Sequence, residues 1–166
     1  VELAQQIARI AAFTDLKRGL TVNPGVISGG TRSNVIADHA FAEIDFRIAK
    51  LTDATLVARK FQALRPVDKR CTLHLTGGLN RPPLERTPAI AALFRQAQSI
   101  ALKLGIHLGE SSSGGGSDGN FTAAVGTPTL DGLGAVGEGA HSRNESILIN
   151  RISDRTALLA HLIAAI

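Results

Sequence analysis

One histidine stands in a segment whose composition suits a functional loop. The stretch from Gly134 to Ser146 reads GAVGEGAHSRNES, and it places His141 three residues after Glu138 with glycines around both. Because glycine-rich backbone bends where a helix or strand cannot, the stretch predicts a metal site or an active-site loop. A catalytic zinc takes about three protein ligands and keeps one position open. If His141 binds zinc, the other protein ligands must therefore come from elsewhere.

A second candidate segment is the serine-glycine loop, residues 111–120, which reads SSSGGGSDGN. Its backbone amides could cradle a phosphate ahead of a helix, although neither GxxxxGK[ST] nor GxGxxG is present. Its GGSDG also fits the GxSxG elbow of serine hydrolases, with Ser117 as nucleophile and His141 as base. Asp131 or Glu138 would then be the acid. Against this, no hydrophobic strand leads into the serine, and only about two dozen residues separate it from His141. The third interpretation is a substrate-contacting wall beside a metal centre.

The composition narrows the class of partner. Among 166 residues, 44% are hydrophobic and 19% charged, which is ordinary for a folded globular protein. The net charge is +4, but the basic residues are scattered and Tyr and Trp are absent, so we expect an anionic small molecule and not nucleic acid. No apolar run approaches the ~18 residues that span a membrane. The single Cys71 forms no internal disulfide, and low cysteine use permits a cytoplasmic location without requiring it.

Residues 1–78 predict the order helix, strand, strand, helix, strand. The initial helix carries apolar residues at helical spacing. Two strands follow around a glycine turn, LTVNPGVI and HAFAEIDFRI. An amphipathic helix then runs from Thr52 to about Leu64. RCTLHLT is the last predicted strand. In HAFAEIDFRI the polar Asp45 and Arg47 alternate with apolar residues, so one face is buried and the other solvated. The order matches a split βαβ sandwich that lacks its first strand.

Residues 79–166 predict an α/β layer. Thr87 and Pro88 begin a long helix that ends at about Leu104, and a small-residue helix follows the serine-glycine loop. IHLGE, GTPTLDGLG and ILIN are short strand candidates, and ISDRTALLAHLIAAI is a terminal helix. The remaining histidines lie in strand-like or helix-like contexts and are expected to be structural: His39, His74, His107 and His161.

Several segments, in order, resemble one enzyme family. They are VNPGVISGGTRSNVIAD and AEIDFR, then RPPLE, then SSGGGSDGNFTAAVGTPTLDGLGAVGEGAHSRNE. Together they resemble the C-terminal portion of the zinc-dependent metallopeptidase family of glutamate carboxypeptidases, acetylornithine deacetylases, succinyl-diaminopimelate desuccinylases and aminoacylases. The resemblance covers essentially all of the chain, and GGGSD with the final G-x-H is closest in style to the glutamate carboxypeptidase-like members.

The resemblance implies a fold and a set of site residues. Residues 1–78 would be a partial ferredoxin-like βαββαβ lid, or dimerisation, domain, and residues 79–166 the C-terminal part of an α/β zinc-peptidase catalytic domain. His141 would be the last ligand of one of two zinc ions. Asp118 would orient the serine-glycine loop. The residues implied to contact substrate are Asn34, Arg47, Arg81, Gly116 and Ser117.

The resemblance also implies what is missing from these residues. The family's His-x-Asp motif, bridging aspartate, Glu-Glu pair and further acidic ligand have no match here, and the chain has no methionine and opens within a helix. We therefore expect part of a homodimeric two-zinc amide hydrolase acting on N-acyl amino acids or peptides with an acidic C-terminus, and inactive by itself. The alternative from another class is a dimerisation or assembly module without catalysis.

Overall fold

The computed structural model describes residues 1–165, which fold into two compact units that divide between Glu85 and Arg86. The first unit contains helix α1 (Glu2–Ala11), a 3-10 turn (Leu16–Arg18), strands β1 (Thr21–Gly29) and β2 (Ala40–Arg47), and helix α2 (Thr52–Gln62). The second contains helices α3 (Pro88–Lys103) and α4 (Gly119–Ala124), strands β3 (Gly137–Glu138) and β4 (Ser146–Ile147), a 3-10 turn (Ile149–Arg151) and helix α5 (Ile152–Ala165). The chain is therefore a mixture of helices and small antiparallel sheets.

The first unit is built around one antiparallel hairpin. Strands β1 and β2 pair from Thr21 opposite Arg47 to Gly29 opposite Ala40, with a break in register between Pro24 and Val26. Proline has no N–H to donate to a ladder, so a bulge beside it is a low-cost place for the break. The predicted alternation in β2 is present, because Asp45 and Arg47 are exposed while their neighbours are partly buried.

Both helices of the first unit pack on the same face of the hairpin. Their shared core contains Ile10 of α1, Val22 of β1 and Val57 of α2, joined by Leu20. The rings of Phe13 and Phe61 meet edge to face with centroids 5.5 Å apart and extend the cluster. The hairpin's other face carries the polar Asp45 and Arg47 and, nearer the turn, the exposed Phe41.

An ion pair between the half-exposed Arg18 and a buried aspartate also links two elements of the first unit. The carboxylate of Asp53, in the first turn of α2, is only 2% exposed and accepts a hydrogen bond from the Arg18 guanidinium. This hydrogen bond, together with the charge of Asp53, raises the pKa of Arg18 above its ordinary value. The 3-10 turn is thereby fixed to the start of α2.

The start of α1 is tied to the chain that follows α2. The Glu2 carboxylate accepts hydrogen bonds from the N–H of Asp68 at 2.8 Å, the N–H of Val67 at 3.1 Å and the side chain of Gln6 at 2.6 Å. The bond from Asp68 contributes most to holding the pKa of Glu2 below its ordinary 4.5. A carboxyl with a lowered folded pKa stabilises the fold above its unfolded pKa and loses that contribution as pH falls through the folded value.

Glu2→Gln should therefore make the free energy of unfolding of the first unit less sensitive to acid. In the wild-type chain we expect the free energy of unfolding to begin falling once pH drops below about 4.5. In the variant the fall should start at lower pH, near the ordinary 3.8 of Asp68, and continue to the folded pKa of Asp68, which Arg70 holds at about 2. Urea titrations at a series of pH values would measure this. Identical slopes for the two proteins between pH 4.5 and pH 3 would contradict the role of Glu2.

The second unit is centred on two packed helices. Ala97 and Ala101, one turn apart on α3, share a core with Leu158 and Leu162 of α5. Thr87 caps α3 by accepting from the N–H of Ile90 at 3.2 Å, with Pro88 at the first helical position, so the predicted helix start is confirmed.

Several predicted strands do not form. In the first unit, RCTLHLT has no strand pairing, and the sheet there contains only β1 and β2 within the described residues. In the second unit, IHLGE and GTPTLDGLG are irregular, and their apolar residues pack on the α3–α5 core: Ile106, Leu108, Leu130 and Leu133. ILIN keeps only its first residue, Ile147, in β4 and enters a 3-10 helix at Ile149. An alternating or apolar segment becomes a strand only where a neighbouring strand accepts its hydrogen bonds.

None of the helices within residues 1–165 combines the length and apolar character needed to cross a bilayer.

Candidate functional site

His141 lies in a small hairpin of the second unit. Strands β3 and β4 pair Gly137 with Ile147 and Glu138 with Ser146, and residues 139–145, here called the His141 loop, connect them. The N–H of Ser142 donates to the carbonyl of Gly139 at 2.8 Å and closes the first bend of the loop. Gly137 is required where it stands, because a Cβ atom there would lie 2.1 Å from the carbonyl oxygen of Ser146.

The backbone of His141 itself is unusual. Its φ of 65° makes it the one residue other than glycine with a positive φ in the described part of the chain. A residue with a Cβ adopts this conformation at a cost, and such residues concentrate at functional sites. The His141 N–H donates to Oε2 of Glu145 at 3.3 Å, and the side chain is exposed. The hairpin thus displays the imidazole at its apex.

The chemistry of His141 suits one metal ligand, but a full coordination shell is not present. Imidazole is a common zinc donor, and a zinc site needs three or four protein donors. Within residues 1–165 there is no group of three or more His, Cys, Asp or Glu side chains that could hold a metal ion. A zinc ion bound through His141 would therefore need further ligands besides the side chains that surround it in the described residues.

The serine-glycine loop is organised by local hydrogen bonds. The hydroxyl of Ser117 accepts from the N–H of Gly119 at 3.1 Å, and the N–H of Ser117 donates to the buried side chain of Asn120 at 2.9 Å. These contacts begin helix α4, and Gly116 beside them is exposed. The Ser117 hydroxyl thus makes a local turn contact with the backbone two residues ahead, as serine side chains commonly do before a helix.

An ion pair fixes the start of the serine-glycine loop. Nε of Arg86 donates to both carboxylate oxygens of Glu110, at 2.9 and 3.1 Å. The hydrogen bond from Arg86 lowers the pKa of Glu110, and the same bond raises the pKa of Arg86. Since both groups are exposed, the pair contributes more to the direction of the loop than to stability.

The predicted substrate contacts of the first unit do not cluster. Asn34 lies exposed in the turn between β1 and β2, near the start of β2, whereas Arg47 is the last residue of β2. Seven steps of extended chain separate Ala40 from Arg47, which is roughly 23 Å. Nε of Arg47 donates to Oδ2 of Asp45 at 2.9 Å. Arg81 is partly buried in the irregular segment that ends the unit. Asn34 and Arg47 are thus carried by opposite ends of the hairpin within a single unit.

Sequence patterns did not reveal two groups that shape the His141 hairpin. Glu145 closes the loop on the His141 N–H, and Arg155 of α5 contacts the chain that leads into β3. The spacing H-x-x-x-E in a glycine-rich loop was the available signal for Glu145. Arg155 gave no signal, because its partners are backbone carbonyls more than twenty residues away.

Known proteins share sequence with this chain. Residues 1–68 match the peptidase dimerisation domain family. The chain is 33% identical over 132 residues to a succinyl-diaminopimelate desuccinylase of Pseudomonas syringae pv. syringae, covering 79% of this chain and 34% of that protein. It is 29% identical over 170 residues to carboxypeptidase G2 of Pseudomonas sp. (strain RS-16), covering 98% of this chain and 40% of that enzyme. The chain thus spans 34% and 40% of these two curated relatives.

Proposed function

This chain belongs to the M20 metallopeptidase family, and we propose that it forms the lid and the final metal-ligand segment of a two-zinc enzyme that hydrolyses amide bonds. The observation that carries the proposal is the His141 hairpin, where a left-handed backbone presents an exposed imidazole. In this role His141 would bind one zinc ion together with ligands outside these residues. Bound zinc would supply an acidified water and polarise the scissile carbonyl.

The charge distribution supports an anionic substrate. Residues 1–85 contain twelve basic and eight acidic side chains, whereas residues 86–166 contain six of each, so the net charge of +4 lies in the first unit. A positively charged lid attracts an anion and offers guanidinium groups for a carboxylate. Arg47 is our candidate for this contact, and it would exchange its bond to Asp45 for one to substrate. N-acyl amino acids and peptides that end in an acidic residue are the proposed substrates.

The remaining assignments concern how the substrate is enclosed. Arg81 and Asn34 would contribute polar contacts from the lid, and the backbone of Gly116 and Ser117 would line the wall of the pocket. The Asn120 side chain and the Ser117 hydroxyl already order this backbone, so the wall would be fixed before substrate arrives. A site that is already ordered needs no further rearrangement as charge develops.

The 166-residue chain should not catalyse hydrolysis by itself. With zinc added, we expect no turnover of N-acyl amino acids or folate-like glutamates above the rate without protein, because His141 is one ligand where about three are needed. The full protein that carries this segment together with the remaining ligands should be active. A robust, chelator-sensitive rate from the 166 residues alone would overturn the ligand assignment. A chelator-resistant rate that disappears in Ser117→Ala would instead support a serine hydrolase.

A second role, assembly, is favoured by one specific finding. Residues 1–68 match a domain whose described role is dimerisation, and we propose a homodimer formed through the first unit. Exposed apolar side chains at the outer end of the β1–β2 hairpin, Ile27 and Phe41 among them, would be available for association. Light scattering distinguishes the roles. A mass of twice 17.4 kDa that is independent of zinc would support dimerisation, and a monomer at all concentrations would contradict it.

A further inference from the structure

A single arginine joins the terminal helix to the chain that leads into the His141 hairpin. Arg155, near the start of α5, donates from Nη2 to the carbonyl of Gly132 at 2.7 Å and from Nε to the carbonyl of Gly134 at 2.9 Å. Two donors of one planar guanidinium thus bind two carbonyls of the same segment. A planar fork of this kind fixes both position and direction, which a single hydrogen bond does not.

The contacted segment, residues 130–136, is here called the arm. Leu130 and Leu133 of the arm pack against the α3–α5 core. At its far end the carbonyl of Val136 accepts from the N–H of Leu148 at 2.9 Å, directly beside the β3–β4 pairing. The arm is therefore one of two chain connections between the core of the second unit and the hairpin that carries His141; the other runs from β4 through the 3-10 turn into α5.

Arg155 is positioned for this contact by its neighbours. The nearest acid on the same helix, Asp154, already accepts from Nε of Arg151 at 2.7 Å. A cation near the N-terminal end of a helix gains nothing from the helix dipole. Arg155 instead contacts the arm. Gly132 of the arm has a φ of +70°, which suits glycine, and its carbonyl accepts from Arg155.

From these contacts we propose that Arg155 is a positioning residue for His141. By binding the carbonyls of Gly132 and Gly134, it holds the arm against α5 and fixes the direction in which the β3–β4 hairpin leaves the core. The mechanical part of this proposal stands on the second unit alone. Its purpose, the placement of a metal ligand, rests on the proposed function.

Amide hydrogen exchange of the 166-residue chain tests the mechanical part. In Arg155→Ala the Leu148 amide, which reports on the hairpin, should exchange about tenfold faster, because local opening no longer breaks the two guanidinium bonds. The amides of Ala97 and Ala101 in the core should keep their rates. Arg155→Lys should lie between the two, since an ammonium keeps the charge but cannot bind both carbonyls as a planar fork. Arg95→Ala, on the exposed surface of α3, is the matched control and should change neither rate.

Two exchange results would overturn the role. One is an unchanged rate for Leu148 in Arg155→Ala. The other is an equal acceleration of Leu148, Ala97 and Ala101, which would make Arg155 a general stabiliser of the unit. If the alanine variant does not fold, the lysine variant decides by the same comparison.

Zinc binding by the full protein tests the purpose of the contact. Arg155→Ala should weaken zinc binding by about tenfold. This is the lower end of the loss in metal affinity that follows when a group supporting a metal ligand is changed. Unchanged zinc affinity together with a loosened hairpin would overturn the positioning role while leaving the proposed function intact. Absence of zinc binding in the wild-type protein would overturn the proposed function, and hydrogen exchange would still decide whether Arg155 holds the hairpin.

Discussion

Replacing His141 by alanine in the full zinc-loaded protein should lower kcat/KM for an N-acyl amino acid by more than about 100-fold. Changes to groups that merely orient a metal ligand cost 10–100-fold in affinity or activity, so loss of a ligand should cost more. The loss should appear in kcat as well as KM, because the metal acts on the transition state and not only on substrate binding. Steady-state kinetics with purified protein and saturating zinc would measure it.

The matched control for that experiment is His107→Ala. His107 is also an exposed histidine of the second unit, but it lies in the segment after α3 and has no place in the proposed site. We expect its variant to keep wild-type kinetics. Equal losses in both variants would indicate a general effect on folding, and wild-type activity in His141→Ala would remove His141 from the zinc site.

The largest stability effect in the first unit should come from Arg18→Met. This change leaves the Asp53 carboxylate, 2% exposed, without its cationic partner. An uncompensated buried charge is strongly destabilising, whereas the intact pair is close to neutral relative to apolar side chains. We expect the urea midpoint of the first unit to fall by about 1–2 M.

The double variant Arg18→Met with Asp53→Leu separates this explanation from simple loss of an arginine. Because it removes both charges, it should recover most of the lost midpoint. Arg59→Met, on the exposed surface of α2, should change the midpoint little. A double variant no more stable than Arg18→Met alone would show that the buried charge is not the cause.

Local pattern was sufficient to predict most of the first unit. From Ala42 to Arg47 of β2, apolar and polar residues alternate, and the structure partly buries Ile44 and Phe46 while exposing Asp45 and Arg47. The same information failed at residues 70–76, where an equally suggestive sequence lies irregular. Strand pairing depends on a neighbour elsewhere in the chain, and alternation within one segment carries no information about that neighbour.

In the candidate site, too, one part could be predicted from the sequence and another could not. The glycine-rich setting of His141 identified the loop, since backbone bending is a local property. The contacts that hold the loop are not local in the same sense, because Arg155 binds carbonyls rather than a complementary side chain. Any residue offers a carbonyl, so no residue type at positions 132 and 134 could have indicated the contact.

The zinc content of the full protein before and after loss of His141 tests the central claim most directly. Elemental analysis of the wild-type protein should give two zinc ions per chain, and His141→Ala should retain no more than one, with His107→Ala unchanged. Two zinc ions retained in His141→Ala, or none bound by the wild-type protein, would contradict the assignment of this segment to a two-zinc amide hydrolase.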